Sequence, residues 1–419
     1  MTTLIKSAII FDIESPFHRQ KKDILITNGI IEGIQDSIEE KKEYTIVKKE
    51  NLHVSCGWFD SSVCFGEPGF ENRETIANGL QTAAKSGFTA VAVNSNTYPV
   101  IDNTTAVSFI KNKANGFATN LYTIPSLTQK MEGKEMAELY DMQKAGAIAF
   151  GDYKNPISND NLLKIALLYA QNFNALVLSF PNNKTIAGNG VANEGKNSTI
   201  LGLKGMPSLA EHIQIARDLF ILEYTGGKLH IPTISTKKSV DLIAEAKQKG
   251  LQITCSVTAH HLVLNDKELH GFDSNFKVIP PLRTEEDVIA LQKAVKDGII
   301  DCITSDHQPK DIEEKKVEFS IAEYGSIGLE SCFGAVNSVL HLENVIEQLT
   351  TKPKRIFGIK NHTIAKGNNA DLTFFNPDEA YTFNKEHILS TSKNSAFLGK
   401  ELKGIVFGIF ANDKLVIKE

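Results

Sequence analysis

Four places in this chain put a thiol, a carboxylate or an imidazole just after a short apolar run. Phe59-Asp-Ser-Ser-Val-Cys-Phe-Gly-Glu-Pro-Gly69 carries Ser62 and Cys64. Asp152 follows Ala147–Phe150, His260 and His261 follow Gln252–Val257, and Asp306 and His307 follow Asp301–Thr304. A thiolate is a good zinc ligand, so Cys64 with Asp152 and Asp306 would make a three-ligand set. A free cysteine is otherwise a small buried apolar residue. A Cys–His nucleophile pair, with His230 or His261 as base, uses the same residue types, although no spacing selects it. Each group also has a purely structural use. Asp306 can cap a loop or pair with a lysine, and Asp152 can accept from backbone N–H groups. The histidines can be buried hydrogen-bonding residues, and Asn96 can satisfy a loop. Two carboxylates at one site repel each other, so Lys228 or Lys310 would serve as an ammonium counter-charge in the absence of a metal.

The elements that must position these groups are legible as a change of pattern along the chain. Up to about residue 54 the sequence is short β-rich pieces separated by turns: Ser7–Phe11, Ile24–Gly29, Ile30–Ile34 and Tyr44–Val47. Apolar runs then alternate with longer helical stretches. The runs are Gly57–Ser61, Thr89–Asn94, Leu121–Ile124, Ala147–Phe150, Ala175–Ser179, Lys228–Pro232, Gln252–Val257 and Asp301–Thr304. Between them, Asn72–Ser86, Asn161–Gln171, Leu209–Tyr224, Lys238–Lys249 and Thr284–Lys296 show apolar residues at three and four spacing. Parallel strands with helical crossovers predict a (β/α)8 barrel over residues 55–355, whose chemistry lies at the strand C-terminal ends. No Gly-x-Gly-x-x-Gly follows the first strand, which disfavours a doubly wound sheet. After about residue 355 the β pattern returns, in Asp371–Phe375, Gly404–Gly408 and Leu415–Ile417. Residues 1–54 and 356–419 are therefore expected to form one composite β-domain.

Composition narrows the function class. A net charge of −5 over 419 residues gives no reason to expect nucleic acid or an anionic membrane surface as partner. The five cysteines are scattered, with no Cys-x-x-Cys, so neither a zinc ribbon nor a disulfide framework is expected. No run approaches the length needed to span a bilayer. The cytoplasm is the expected compartment.

Several segments, in order, resemble the dihydroorotase family of cyclic amidohydrolases. Glu67-Pro-Gly69 matches the end of the family's His-x-His-x-Arg-Glu-Pro-Gly. Asn96-Thr-Tyr-Pro-Val-Ile-Asp-Asn103 resembles its substrate loop. His230-Ile-Pro-Thr-Ile-Ser-Thr236 resembles its His-x-x-His-Val-Ser-Thr. Pro280-Pro-Leu-Arg283, Ser305-Asp-His-Gln-Pro309, Gly325-Ser-Ile-Gly-Leu-Glu330 and Ile364–Leu372 follow at suitable spacing.

The resemblance implies a metal-dependent opening or closing of a six-membered cyclic amide. In such enzymes a bound divalent ion lowers the pKa of water from about 15.7 toward 7, and the aspartate after strand eight shuttles a proton. Matched residue by residue, the family's imidazole positions hold Ser62, Cys64, Phe180 and Thr233. Its carboxylate positions hold Asp152 and Asp306. The arginine that would read a substrate carboxylate is Gly66. The asparagine before Pro-Pro-Leu-Arg is Ile279, the last histidine of Asp-His-Ala-Pro-His is Lys310, and Asn96 remains. The expectation is a catalytically degenerate dihydroorotase homologue of pyrimidine biosynthesis, binding no metal, with Asp306 a catalytic remnant and Asn96 a substrate-binding one. What the resemblance implies for it is a structural or regulatory role beside aspartate carbamoyltransferase, as a homo-oligomer and most simply a dimer. The alternatives are an active dihydroorotase or related cyclic amidase with a rebuilt, zinc-containing site, and a small-molecule sensor.

Overall fold

The two ends of the chain meet in one sheet. The structure, a computed structural model, describes residues 2–418. Eight strands form the sheet: Thr2–Ile10, Lys21–Thr27, Ile30–Gln35, Thr45–Val47 and His53–Cys56 from the first part of the chain, and Leu372–Thr382, Glu401–Ala411 and Lys414–Ile417 from the last. The joint between the halves is the antiparallel pair of His53–Cys56 with Leu372–Thr382, in the register Leu372 to Cys56 and Phe375 to His53.

The chain leaves this sheet through Gly57 and enters the first strand of a parallel barrel, Trp58–Val63. A side chain at Gly57 would stand 2.1 Å from Thr89 Oγ1 and 2.4 Å from Asp371 Oδ1, so only glycine lets the barrel and the sheet come this close. Trp58 seals the junction. It packs on Phe88 of the barrel, on Phe333 and on Phe375 of the sheet, and its indole N–H donates to Ser55 Oγ at 2.9 Å.

Around the barrel, Trp58–Val63 pairs with Phe88–Asn94, which pairs with Asn120–Ile124. Leu176–Leu178, Lys228–Ile231, Ile253–Thr258 and Cys302–Thr304 continue in parallel. The ring is completed by single parallel bridges, Thr123 to Ala147, Phe150 to Val177 and Val63 to His307. The fourth run, expected as a strand, contributes only the bridges at Ala147 and Phe150. Its four residues pair with a neighbour at one end and with the other neighbour at the other end, too briefly for a ladder. The barrel wall is clad by helices whose apolar faces enter the main core, including Ile76–Lys85, Leu209–Thr225 and Glu285–Lys296. Helix Ile76–Lys85 begins four residues later than its periodicity suggests, because Thr75 takes the N-cap and accepts from Asn78 N.

Among the described residues, no helix is long and apolar enough to cross a membrane.

Candidate functional site

The C-terminal ends of the barrel strands converge on Ser62, Cys64, Asp152, Phe180, Thr233 and Asp306, all of them buried. Three non-glycine residues there have left-handed backbones: Tyr153 (φ 49°), Thr233 (φ 52°) and Asp306 (φ 48°), after the fourth, sixth and eighth runs. Such conformations cost of order 1–3 kcal/mol each and cluster where a backbone must aim a side chain inward. The sharp turns of a working barrel mouth are present, so the question is what the side chains do.

Asp306 Oδ2 accepts from Lys154 Nζ at 2.8 Å, and Lys154 also reaches Gln308 Oε1 at 3.2 Å. Burial raises the Asp306 pKa, and the ammonium of Lys154 opposes that rise. The counter-charge at this site is thus Lys154, not Lys228 or Lys310. Lys228 lies at the N-terminal end of its strand, away from the mouth. Lys310 pairs outward with Glu323 at 3.3 Å. Asp152 is committed elsewhere: Oδ1 accepts from Thr128 N at 2.9 Å and Oδ2 from the Thr128 hydroxyl.

Cys64 is buried, and burial raises its thiol pKa, with the Asp306 charge adding to the rise. It is neither a ready thiolate ligand nor an activated nucleophile. Ser62 Oγ accepts from Asn94 Nδ2 at 3.0 Å. Thr233 donates its N–H to Ser256 Oγ at 3.2 Å, while its own hydroxyl is buried without a partner.

The imidazoles of His230, His261 and His307 each make at least one hydrogen bond, while Nε2 of His260 and of His307 is buried without a partner. His230 bonds Thr254 Oγ1 at 2.9 Å and Ser256 Oγ at 3.2 Å, and burial lowers its pKa to about 3. His261 bonds Thr258 Oγ1 at 2.7 Å and the Pro280 carbonyl at 3.1 Å, and burial lowers it likewise to about 3. His307 accepts the Gly328 N–H at 3.2 Å on Nδ1, and burial lowers its pKa to about 4. None of the three is hydrogen-bonded to the Cys64 thiol.

The donor set does not fit a zinc ion. Zinc sites use imidazole, thiolate and carboxylate at about 2.0–2.3 Å. Here one carboxylate is held by an ammonium through Oδ2, its Oδ1 buried without a partner, the other is held by Thr128, and burial pushes the thiol pKa up. No group of three His, Cys, Asp or Glu able to hold a metal occurs among the described residues. Space is short as well. The cavity bounded by Ser62, Asn94, Lys154, Phe180, His230 and Thr233 measures about 20 Å³, room for roughly one water molecule.

The substrate-reading positions follow the same pattern. At Gly66, even a Cβ would lie 1.9 Å from the Phe70 carbonyl oxygen, in a turn closed by the Phe70 N–H to Gly66 carbonyl bond of 2.8 Å. An arginine has no place on this backbone. Asn96 stands half-buried at the mouth. Glu67 caps Ile76 N at 3.0 Å and pairs with Lys113 at 2.7 Å, outside the mouth.

Two residues that matter here escaped the reading of the sequence. Lys154 lies two residues beyond Asp152, in a loop whose partner is 152 positions away. Asp60 is fully buried; its carboxylate accepts from Ser62 N at 3.0 Å, Ser305 N at 3.1 Å and the Thr304 hydroxyl. It ties the first barrel strand to the eighth. Its one sequence signal is an acidic residue inside an apolar run, Trp58-Phe-Asp60.

Thr233 offers a test of whether this strain still serves a purpose. A β-branched residue pays about 1–2 kcal/mol for a left-handed backbone, and this hydroxyl gains no partner in return. Thr233→Gly is expected to be neutral or to stabilise the chain by up to about 1 kcal/mol, after the entropy glycine adds to the unfolded chain. Urea unfolding of the two proteins checks it. A loss above about 1 kcal/mol would mean that the threonine is packed for stability.

Comparison with known proteins agrees with this architecture. The Dihydro-orotase-like family matches residues 53–239. The dihydroorotase of Caldanaerobacter subterraneus subsp. tengcongensis is 38% identical over 413 residues, covering 97% of this chain and 95% of its own. That of Pelotomaculum thermopropionicum is 38% identical over 425 residues, covering 100% and 99%. Among solved structures, the L-hydantoinase (dihydropyrimidinase) of Arthrobacter aurescens superposes with a TM-score of 0.86 at 21% identity, covering 100% of this chain and 96% of its own. The hydantoinase likeness shows a shared fold. Full-length identity to the named relatives goes further: the chain belongs to the dihydroorotase family.

Proposed function

We propose that this protein is a noncatalytic dihydroorotase homologue with a structural or regulatory role in pyrimidine biosynthesis. The observation that carries the reading is the Lys154–Asp306 ion pair of 2.8 Å. An ammonium stands against the carboxylate that the resemblance makes the proton shuttle. A metal ion beside it would add like charge in a site with little water to screen it. Hydrolysis of a cyclic amide near neutral pH would then lack its activated water.

The test is elemental analysis of the purified chain together with a dihydroorotate hydrolysis assay. No stoichiometric metal and no turnover above background are expected. One equivalent of zinc with turnover that a chelator abolishes would overturn the reading. That outcome is the second reading, an active enzyme with a rebuilt site. It is favoured by the dihydroorotase names of relatives at 38% identity, and it requires Lys154 to withdraw from Asp306.

Aspartate carbamoyltransferase is the proposed protein partner, testable by co-elution of the two purified proteins. Self-association has a surface to support it. On helix Leu209–Thr225, Leu209, Ile213, Phe220 and Tyr224 are 50%, 43%, 73% and 80% exposed. Beside it, helix Asp160–Ala170 exposes Ile165, Leu168 and Tyr169, and Arg217 joins the two through Asp160 at 2.9 Å. Phe220 and Tyr224 alone expose roughly 300 Å², and the whole stripe approaches the ~800 Å² per partner of a stable interface. The spacing is symmetric about Ala216 and Arg217. Antiparallel pairing with a second copy would set Leu209 against Tyr224 and Ile213 against Phe220, as a two-fold interface requires. Phe220→Glu is expected to convert a dimer to a folded monomer in sedimentation equilibrium. A wild-type monomer, or a variant that stays dimeric, would remove this surface from consideration.

A further inference from the structure

The segment that follows the eighth barrel strand turns its cations away from the mouth and toward a separate cleft. This cleft, of about 910 Å³, lies between residues 272–275, 310–318 and 391–398. Its walls carry Lys310, Lys315, Lys316, Lys385 and Lys393 against Asp273, Asp311 and Glu318. Asp311 is already engaged, capping Glu313 N at 3.0 Å and accepting from Asn72 at 2.9 Å.

Three lysines at or behind the wall are buried: Lys277, Lys310 and Lys315, at 3%, 8% and 6% exposure. Only Lys310 has a carboxylate in contact, Glu323 at 3.3 Å. Lys315 Nζ donates to the carbonyls of Glu323 at 2.9 Å and Gly325 at 3.0 Å, and Lys277 Nζ to that of Ser320 at 2.9 Å. Lys277 also lies over the rings of Phe319 and Tyr324 at 5.7 and 4.8 Å, but a buried ammonium is costly unless paired with opposite charge, and the carbonyls around Lys315 do not supply it. Burial and the nearby charges of Lys310 and Lys277 push Lys315 down to about 7, against the opposing influence of Asp273 and Glu323. Beside the lysines, Phe272, Ile312 and Val317 present exposed apolar surface. The volume is that of a small-molecule site.

We propose that this cleft binds a small phosphate-bearing metabolite with a flat apolar body, of the nucleoside monophosphate class, the phosphate neutralising the Lys310–Lys315 cluster. The site is independent of the barrel mouth and does not depend on whether the mouth is catalytic. A dianion there would draw a proton onto Lys315, so binding and proton uptake are coupled.

The test is isothermal titration calorimetry on the full-length protein at pH 7 and low salt. The probes are inorganic pyrophosphate, adenosine 5′-monophosphate and uncharged adenosine, in two buffers of different ionisation enthalpy. The expected result is binding of both anions but not of adenosine, with net proton uptake. Lys310→Gln should weaken adenosine monophosphate binding about tenfold or more, as loss of a charged hydrogen bond does. Lys316→Glu, a surface change that spares the fold, should weaken it too. No heat and no thermal stabilisation with either anion would overturn the proposal. So would unchanged affinity in folded Lys310→Gln, or a preference for a polyglutamate peptide over both probes.

Discussion

Asp306→Asn is expected to destabilise this protein by about 3 kcal/mol, the low end of what breaking a buried ion pair costs. The substitution keeps the shape of the side chain, and asparagine tolerates the left-handed backbone at φ 48°. What it removes is the charge opposite Lys154, whose side chain is 10% exposed and would keep only neutral acceptors, the new amide oxygen and Gln308 Oε1. The companion variant Lys154→Met should recover most of the loss when combined with Asp306→Asn, because two neutral side chains leave no unpaired charge. A double-mutant cycle in urea reads the coupling directly. The direction of the effect also separates the two functional readings. Groups held in a working site are commonly maintained at the expense of stability, so an active enzyme would lose turnover on Asp306→Asn with stability unchanged or improved. Loss of stability without any turnover to lose is the outcome expected here.

Asp60→Ala is expected to cost still more, about 3–5 kcal/mol. The carboxylate is fully buried and accepts from two backbone N–H groups and the Thr304 hydroxyl. Removing it leaves three donors unsatisfied inside the barrel, each worth about 1–3 kcal/mol. Burial holds its pKa up at about 6 against those same hydrogen bonds. The rupture falls where the barrel closes, at the seam that also carries the Cys64 N–H to His307 carbonyl bond of 2.7 Å. Asp60→Asn keeps one acceptor oxygen but turns an NH2 toward a donor, so about half the loss is expected. Hydrogen exchange should show early opening of 58–63 and 302–307 in both variants. Protection there equal to that of the parent protein would mean that the seam is held by packing alone.

Much of the barrel was legible because its strands are local patterns. A four- to seven-residue apolar run bounded by turn residues reads as a buried strand wherever it falls, and seven of the eight runs correspond to strands. The exception, Ala147–Phe150, fails for a reason no run of residues contains: whether its ends find neighbours along a ladder is settled by the closure of the ring. The positions of Ser62, Cys64, Phe180, Thr233, Asp152 and Asp306 at strand ends were legible for the same local reason. What occupies each of them chemically was not. Thr128 answers Asp152 from the preceding strand's loop, and Lys154 answers Asp306 across 152 residues.

The sequence by itself therefore determined the side-chain types at the mouth and the alternation of strand and helix. These depend on neighbours a few residues apart and on sterics of the backbone. Only the tertiary structure decided which cation meets Asp306, that Gly66 lies too near the Phe70 carbonyl for any side chain, and that the mouth narrows to about 20 Å³. Those are properties of surfaces brought together from distant parts of the chain. Their energies depend on burial and on distances of a few ångström, which no spacing along the sequence encodes.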